Sequence, residues 1–187
     1  MAKIRFARRS DAEDIASIYA PYVINTAISF ETDPPSPDEM VSRMSSTLKT
    51  HPWLVYEDAS RVIGYAYAGP HAQREAYRWS AHVSVYVGEG AHRRGIGRSL
   101  YHDLLGLLRQ QGLRSIFAGI ALPNESSVAL HEAMGFEAAG VYRQAGFKLG
   151  AWWDVGWWRL GLTDSNEPPK EPIPFANVSA QPEFDSK

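Results

Sequence analysis

Ser84-Val85-Tyr86-Val87-Gly88, followed by His92-Arg93-Arg94-Gly95-Ile96-Gly97-Arg98-Ser99, is the stretch on which the fold turns. Val83, Val85 and Val87 alternate with His82, Ser84 and Tyr86, the two-residue period of a strand over 81–87. Downstream, Ile96, Leu100, Leu104 and Leu107/Leu108 recur at helical spacing, and Gln111-Gly112 supplies the C-terminal stop. The loop between them carries glycines, which let backbone N–H groups turn toward one point. The helix start adds its positive dipole end, about 0.3–1 kcal/mol per charge in exposed settings. Arg93, Arg94 and Arg98 add local positive charge to a chain whose net charge is -2. The sum is an anion cradle suited to a pyrophosphate. No Gly-Lys-Ser/Thr follows, which excludes a Walker motif, and the third glycine of a dinucleotide fingerprint is missing. A plain strand-to-helix turn with solvated arginines has the same spacing, so the loop alone leaves both readings open.

Working outward, strands and helices mix along the chain. Lys3–Arg8 reads as a strand. Ser10 with Glu13 forms a capping box that opens a helix through Ile15, Ile18 and Tyr19. Asp33-Pro34-Pro35-Ser36-Pro37 breaks the chain before a second helix over Asp38–Lys49. Trp53–Glu57 and Val62–Ala68 read as a hairpin turning at Asp58-Ala59-Ser60. Arg114–Ala121 is a strand, and Pro123-Asn124-Glu125-Ser126-Ser127 opens a short helix stopping at Met134-Gly135. Strands at Glu137–Phe147 and Ala151–Leu162 complete an α+β (mixed α/β) fold. Residues 1–163 form one domain. Residues 164–187 read as a proline-rich tail, with five of the twelve prolines and few apolar anchors, lying on the surface or partly disordered.

The 187 residues include no cysteine. That excludes disulfides, thiolate metal sites, iron–sulfur clusters and a cysteinyl acyl-enzyme. His131-Glu132 begins like a zinc-protease helix, but position 135 is glycine, and no metal site is expected. The small net charge disfavours nucleic acid and anionic membrane as partners. No signal-peptide core and no run of 18 apolar residues is present, so a cytoplasmic protein is expected. The glycosylation-like triplets at Asn124 and Asn177 are then accidental. Four of the six tryptophans fall between Trp152 and Trp158. Alternation puts Trp153 and Trp157 on one strand face, and Trp152 and Trp158 on the other, as core or dimer surface.

Arg-Arg-Gly-Ile-Gly after a strand, then Asn124…Ser127…His131-Glu132-Ala133-Met134-Gly135-Phe136, resembles the Gcn5-related N-acetyltransferase superfamily. Ile28-Ser29-Phe30-Glu31-Thr32, Pro52-Trp53-Leu54-Val55, Gly64-Tyr65-Ala66-Tyr67-Ala68-Gly69-Pro70 and Ala76-Tyr77-Arg78-Trp79 are similar to its phosphinothricin (methionine sulfoximine) N-acetyltransferases. So are Ala145-Gly146-Phe147-Lys148 and Trp152-Trp153-Asp154-Val155-Gly156-Trp157-Trp158. The resemblance spans residues 3–162. It implies a central mixed, mostly antiparallel sheet, flanked by about four helices, with a splayed strand pair that binds acetyl-CoA. It also implies direct acetyl transfer from acetyl-CoA to the amino group of a small amino-acid-like substrate, and a homodimer. An acetyltransferase for another small amine, or a non-catalytic acyl-CoA sensor, remains open beside it.

The resemblance assigns the residues. Val85, Tyr86 and Val87 would bind the pantetheine arm, Arg93, Arg94, Gly95, Ile96, Gly97, Arg98 and Ser99 the pyrophosphate, and Asn124 and Ser127 the far end of the arm. Related enzymes carry a glutamate base where this chain has His82, whose reference pKa near 6.5 lets it accept a proton at neutral pH. His131 stands where an acid serves the departing sulfur. His92 replaces the usual first residue of the anion loop. Phe30, Glu31, Arg74 and Tyr77 match the acceptor pocket, with Arg74 suited to a carboxylate or phosphinyl oxygen.

Overall fold

The computed structural model describes residues 2–165 and 167–178. Seven strands form one sheet: β1 (Lys3–Phe6), β2 (Trp53–Asp58), β3 (Arg61–Pro70), β4 (Ser80–Val87), β5 (Ser115–Leu122), β6 (Glu137–Lys148) and β7 (Ala151–Gly161). Their order is β1-β2-β3-β4-β5-β7-β6. Every neighbouring pair is antiparallel except β4 and β5. That parallel pair stays in register only from Ser80–His82 against Ser115–Phe117. Beyond it the two strands part, and this is the splay that the resemblance implied.

Among the described residues, five helices flank the sheet: α1 (Ala12–Asn25), α2 (Pro37–Leu48), α3 (Ile96–Gln110), α4 (Glu125–Ala133) and the four-residue α5 (Phe175–Val178). Strand alternation divides the core in two. Leu54, Ala66, Ala68, Ala81 and Val83 face α3, meeting Leu100, Leu104 and Leu108. Trp53, Val55 and Tyr65 face the other way, against Ile15 and Val23 of α1 and Met40 and Met44 of α2.

The start of α1 differs from the capping box expected at Ser10 and Glu13. A 3-10 turn at Arg9–Asp11 precedes the helix, and no side-chain cap closes its N-terminus. Asp11 is buried instead and is gripped by Arg5 through two 2.7 Å bonds, with the Arg8 N–H at 2.7 Å. A buried carboxylate demands charge-assisted donors, and β1 supplies one that outcompetes a serine cap. At α2, Ser36 Oγ accepts from the Glu39 N–H, so the helix begins at Pro37, one residue before the expected start.

The residues after β7 run back over the domain. Arg114 donates to the Ser165 and Glu167 carbonyls, and Trp79 Nε1 donates to the Lys170 carbonyl at 2.8 Å. Ile173 and Gln111 exchange backbone and side-chain bonds. Phe175 is fully buried, its ring edge-on to Phe6 at 5.3 Å. One aromatic anchor suffices to seat a segment read as poor in them. Residues 179–187, and with them Ser179 of the second glycosylation-like triplet, lie outside the described residues.

From Asp154 to Gly161, β7 pairs with β5 without a register shift, which keeps Trp157 and Trp158 on opposite faces as expected. The bulges sit on β6. Trp158 joins the α3-side core, whereas Trp152 is 60% exposed beside Phe147.

Candidate active site

Where β4 and β5 part, a cleft of about 700 Å³ opens. It is lined by Val85, Tyr86 and Val87 of β4, by Arg93, Gly95, Ile96, Gly97 and Arg98 at the start of α3, and by Asn124 and Ser127 at the start of α4. A smaller cavity of about 60 Å³ shares Tyr86 and Asn124 with it and adds Ser84, Tyr101 and His131. The gap therefore passes through the sheet, joining its α3/α4 face to its α1/α2 face.

The loop geometry fits an anion. Arg93 has φ 60° and Gly95 φ 77°, both left-handed, a conformation uncommon for a non-glycine residue. Gly95 caps α3 without any side-chain bond, which leaves the helix's first N–H groups open to a ligand. At Gly97 a Cβ would sit 3.2 Å from Leu130, so glycine lets the helix start press against α4. Arg94 pairs with Asp58 at 3.1 Å. Arg93, Arg98 and Ser99 are exposed at the loop and first turn, although Ser99 is not among the cleft lining. This cradle and the open strand edge fit a pyrophosphate-bearing thioester cosubstrate.

The strand edge has a defined polarity. The Gly88 N–H bonds to the Ile63 carbonyl of β3. The Val87 carbonyl accepts from Tyr22 Oη at 2.6 Å, with His92 Nε2 2.9 Å away. Because backbone groups alternate sides along a strand, the N–H and C=O of Val85 point with those of Val87 into the gap. His92 thus braces the strand, a role its sequence position did not reveal, and Tyr22 joins it.

His82 is half-buried on the α1/α2 face. Its Nδ1 lies 3.1 Å from the Pro70 carbonyl, which only accepts, so Nδ1 carries the proton and Nε2 keeps a lone pair. Burial is the main influence on its pKa and lowers it, opposed by the Pro70 bond; nearby His71 lowers it further. The Cε1 and Nε2 atoms of the ring lie close to Gly69, where a Cβ would come within 2.8 Å of Cε1 and 3.0 Å of Nε2.

His131 is buried, 3% exposed. Nδ1 donates to the Ser127 carbonyl at 2.7 Å, and Nε2 therefore accepts from Tyr101 Oη at 3.0 Å. Burial lowers the imidazole pKa, with the Ser127 bond opposing, and burial pushes the Tyr101 hydroxyl up. Tyr101 sits within the apolar stripe of α3, where spacing alone reads as core. Asn124 Oδ1 caps α4 through the Ser127 N–H at 3.2 Å while also lining the cleft.

The acceptor-side residues do not all converge. Glu31 is held by Arg43 through two bonds of 2.8 and 2.9 Å and by Tyr19 Oη at 2.9 Å. The Arg43 guanidinium chiefly, against a burial penalty, keeps its carboxyl below the usual range. Phe30 is 40% exposed and lies over Gly146. Arg74 precedes, and Tyr77 ends, the 3-10 turn Glu75–Tyr77 between β3 and β4, and neither lines the cleft. Two residues missed from the sequence complete this region. Arg43 fixes Glu31. Lys148 is buried and donates at 2.6 Å to the Val23 and Ser29 carbonyls, tying β6 to the loop before Phe30. Among the described residues no cluster of His, Asp and Glu has a metal-holding arrangement.

Comparison with known proteins agrees with this geometry. The acetyltransferase (GNAT) domain model matches residues 4–157. A phosphinothricin N-acetyltransferase of Streptomyces viridochromogenes is 39% identical over 95% of this chain and 94% of its own. An L-methionine sulfoximine/L-methionine sulfone acetyltransferase of Salmonella typhimurium is 31% identical over 88% of this chain and 97% of its own. The crystal structure of a phosphinothricin acetyltransferase from Sinorhizobium meliloti in complex with AcCoA superposes with a TM-score of 0.87, at 34% identity and 99% coverage of both chains. A helix-capped anion loop, a parted strand pair and a match across most of the domain lead to one conclusion: this chain belongs to the GNAT acetyltransferase family.

Proposed function

We propose that the protein acetylates the α-amino group of phosphinothricin or methionine sulfoximine, using acetyl-CoA. The observation that carries this reading is the gap between β4 and β5, which opens just beyond His82 on β4 and leads from an anion cradle on the α3/α4 face toward the α1/α2 face that carries this histidine.

Bound at the cleft, acetyl-CoA supplies an acetyl group activated as a thioester. The left-handed loop at Arg93 and Gly95 and the α3 N-terminus hold its pyrophosphate. The Val85 N–H, facing the gap, polarises the acyl carbonyl. An ammonium has no lone pair to attack with, so His82 Nε2 takes the acceptor's proton directly or through one water. Its lowered pKa keeps it unprotonated at pH 7. As the sulfur departs, the Tyr101 hydroxyl turns its proton from His131 Nε2, 3.0 Å away, to the thiolate, and the second proton of the attacking nitrogen restores the tyrosine through water. Phe30 and Glu31 border the acceptor, with Arg74 and Tyr77 at the outer rim.

Thiol release from acetyl-CoA in the presence of candidate amines tests the reading. Turnover with phosphinothricin or methionine sulfoximine is expected; turnover only with unrelated amines refutes the acceptor. His82→Ala is expected to lower kcat by 10²-fold or more. The limb of the wild-type pH profile set by His82 is expected below pH 6.5, rising with pH. A homodimer is part of the proposal. Tyr142, Phe147, Leu149 and Trp152 expose 59–61% of their surfaces on the β6–β7 edge, an apolar patch suited to a second copy. Sedimentation at monomer mass would refute it. We place the protein in the cytoplasm, where acetyl-CoA is available.

A further inference from the structure

The returning segment, Glu167 to Phe175, crosses the end of the sheet at which β4 and β5 are still paired. Trp79 and Arg114 directly precede those two strands, and the Arg114 N–H bonds to the Trp79 carbonyl at 2.8 Å. Both side chains also reach the segment. Arg114 donates to the Glu167 carbonyl at 2.8 Å, and Trp79 Nε1 to the Lys170 carbonyl at 2.8 Å. Beside them Arg78 grips the Glu171 carboxylate through two bonds of 2.8 and 2.9 Å, its guanidinium carbon 3.8 Å from the centre of the Trp79 ring. An exposed ion pair between two flexible side chains adds little. This one is bidentate, stacked on an indole and held from a segment anchored on either side of Glu171, by Arg114 and by the buried Phe175.

Arg78 faces the other way as well. Its guanidinium and its backbone N–H both donate to the Glu75 carbonyl, at 3.1 and 3.0 Å, closing the 3-10 turn Glu75–Tyr77. That turn buries none of its residues, so the core does not fix it. The Tyr77 ring stands 5.8 Å from His71, His71 stacks on Phe117 at 4.2 Å, and Phe117 is the register partner of His82. His71 Nδ1 is buried without a hydrogen-bond partner, so its ring relies on these neighbours for its position. A continuous line of contacts therefore runs from Glu171 to His82.

We propose that residues 167–175 brace the acceptor rim, and that Arg78 and Glu171 are positioning residues for the transfer. The anchored segment fixes Glu171, Glu171 fixes Arg78, and Arg78 fixes the turn that presents Arg74 and Tyr77. Released from the brace, the turn samples other positions, and the apparent affinity for the acceptor falls with the fraction of molecules still competent to bind. The brace rests on the placement of Arg74 and Tyr77 at that rim, made above.

Glu171→Ala tests it, since the Glu171 side chain is 71% exposed and the fold does not depend on it. KM for phosphinothricin is expected to rise about 2- to 5-fold, the range of one exposed ion pair, with kcat and KM for acetyl-CoA unchanged. Glu171→Gln, which keeps one accepting oxygen, is expected to fall between. Amide hydrogen exchange supplies a readout apart from activity. The Tyr77 and Arg78 N–H groups, bonded to the Arg74 and Glu75 carbonyls at 2.9 and 3.0 Å, should exchange faster in Glu171→Ala. The Phe175 N–H, bonded to Thr50, should not. Unchanged exchange at Tyr77 and Arg78, faster exchange with an unchanged KM, or an equal rise in KM for acetyl-CoA overturns the brace. Calorimetric binding of phosphinothricin to wild type and Glu171→Ala separates this inference from the acetylation reading. Weaker binding in the variant without turnover in either sinks that reading and supports the brace; equal affinities overturn the brace.

Discussion

Gly69→Ala tests the placement of His82 without touching its chemistry. The added Cβ would stand 2.8 Å from His82 Cε1 and 3.0 Å from Nε2. Carbon contacts settle near 3.5–4 Å, so the ring must retreat by roughly 0.5–1 Å. The 3.1 Å bond from Nδ1 to the Pro70 carbonyl stretches as it does so. A misplacement of about 1 Å in a reacting group costs on the order of 10²-fold in rate, so kcat is expected to fall about 10- to 100-fold. Stability should scarcely change. A weakened hydrogen bond costs about 0.5–1.5 kcal/mol, and replacing glycine returns about 0.4–1 kcal/mol through the unfolded chain. Gly69 does not occupy the positive-φ region, so alanine meets no backbone penalty there. Thiol-release kinetics at saturating acetyl-CoA, paired with a thermal melt, read both quantities. An unchanged kcat in a normally folded variant would refute a reaction dependent on the position of His82.

Three further outcomes follow from the packing. Phe175→Ala empties a fully buried site between α1, α2 and β1 and is expected to cost about 3–5 kcal/mol in denaturant unfolding; a loss under 1 kcal/mol would mean the returning segment is not seated in the core. Lys148→Met strands the Val23 and Ser29 carbonyls, with an expected loss of about 2–3 kcal/mol and a raised KM for the acceptor but not for acetyl-CoA. The folded-state pKa of Glu31 is lowered, so its contribution is present above about pH 4.5 and disappears as pH falls through the folded value. The stability gap between wild type and Glu31→Gln should therefore shrink on acidification, and a gap that widens would reverse the sign assigned to the Arg43 pair.

Local pattern made most of the fold legible. The valine alternation at 83–87, the leucine spacing after Ile96 and the proline break before α2 each located an element to within a residue or two. What escaped was set by distant partners. The α1 cap was lost to Arg5, six residues away on a neighbouring strand. The docking of Phe175 depends on Phe6, from the opposite end of the chain. No window of sequence contains both members of that pair.

The site divides along the same line, and the division has a chemical reason. Backbone-built features, the loop at Arg93–Ser99 and the cap at Asn124, are written in consecutive residues because glycine and capping chemistry are local. The side chains that set charge and proton position are not. Tyr101 hides in the apolar stripe of α3, yet it donates to Nε2 of His131, thirty positions on, whose tautomer the Ser127 carbonyl sets. Arg43 and Lys148 look like ordinary surface cations, yet one grips Glu31 and the other holds the loop before it. His82 shows the converse. Its identity is visible in the strand, but its usefulness as a base depends on Gly69 and Pro70 across the sheet, which bury the ring and assign its proton to Nδ1. The base role proposed for His82 depends on that packing, which gives Nδ1 the Pro70 carbonyl and leaves Nε2 without a proton. The test of that statement is geometric before it is chemical, which is why a glycine that touches no substrate is the most informative position to change.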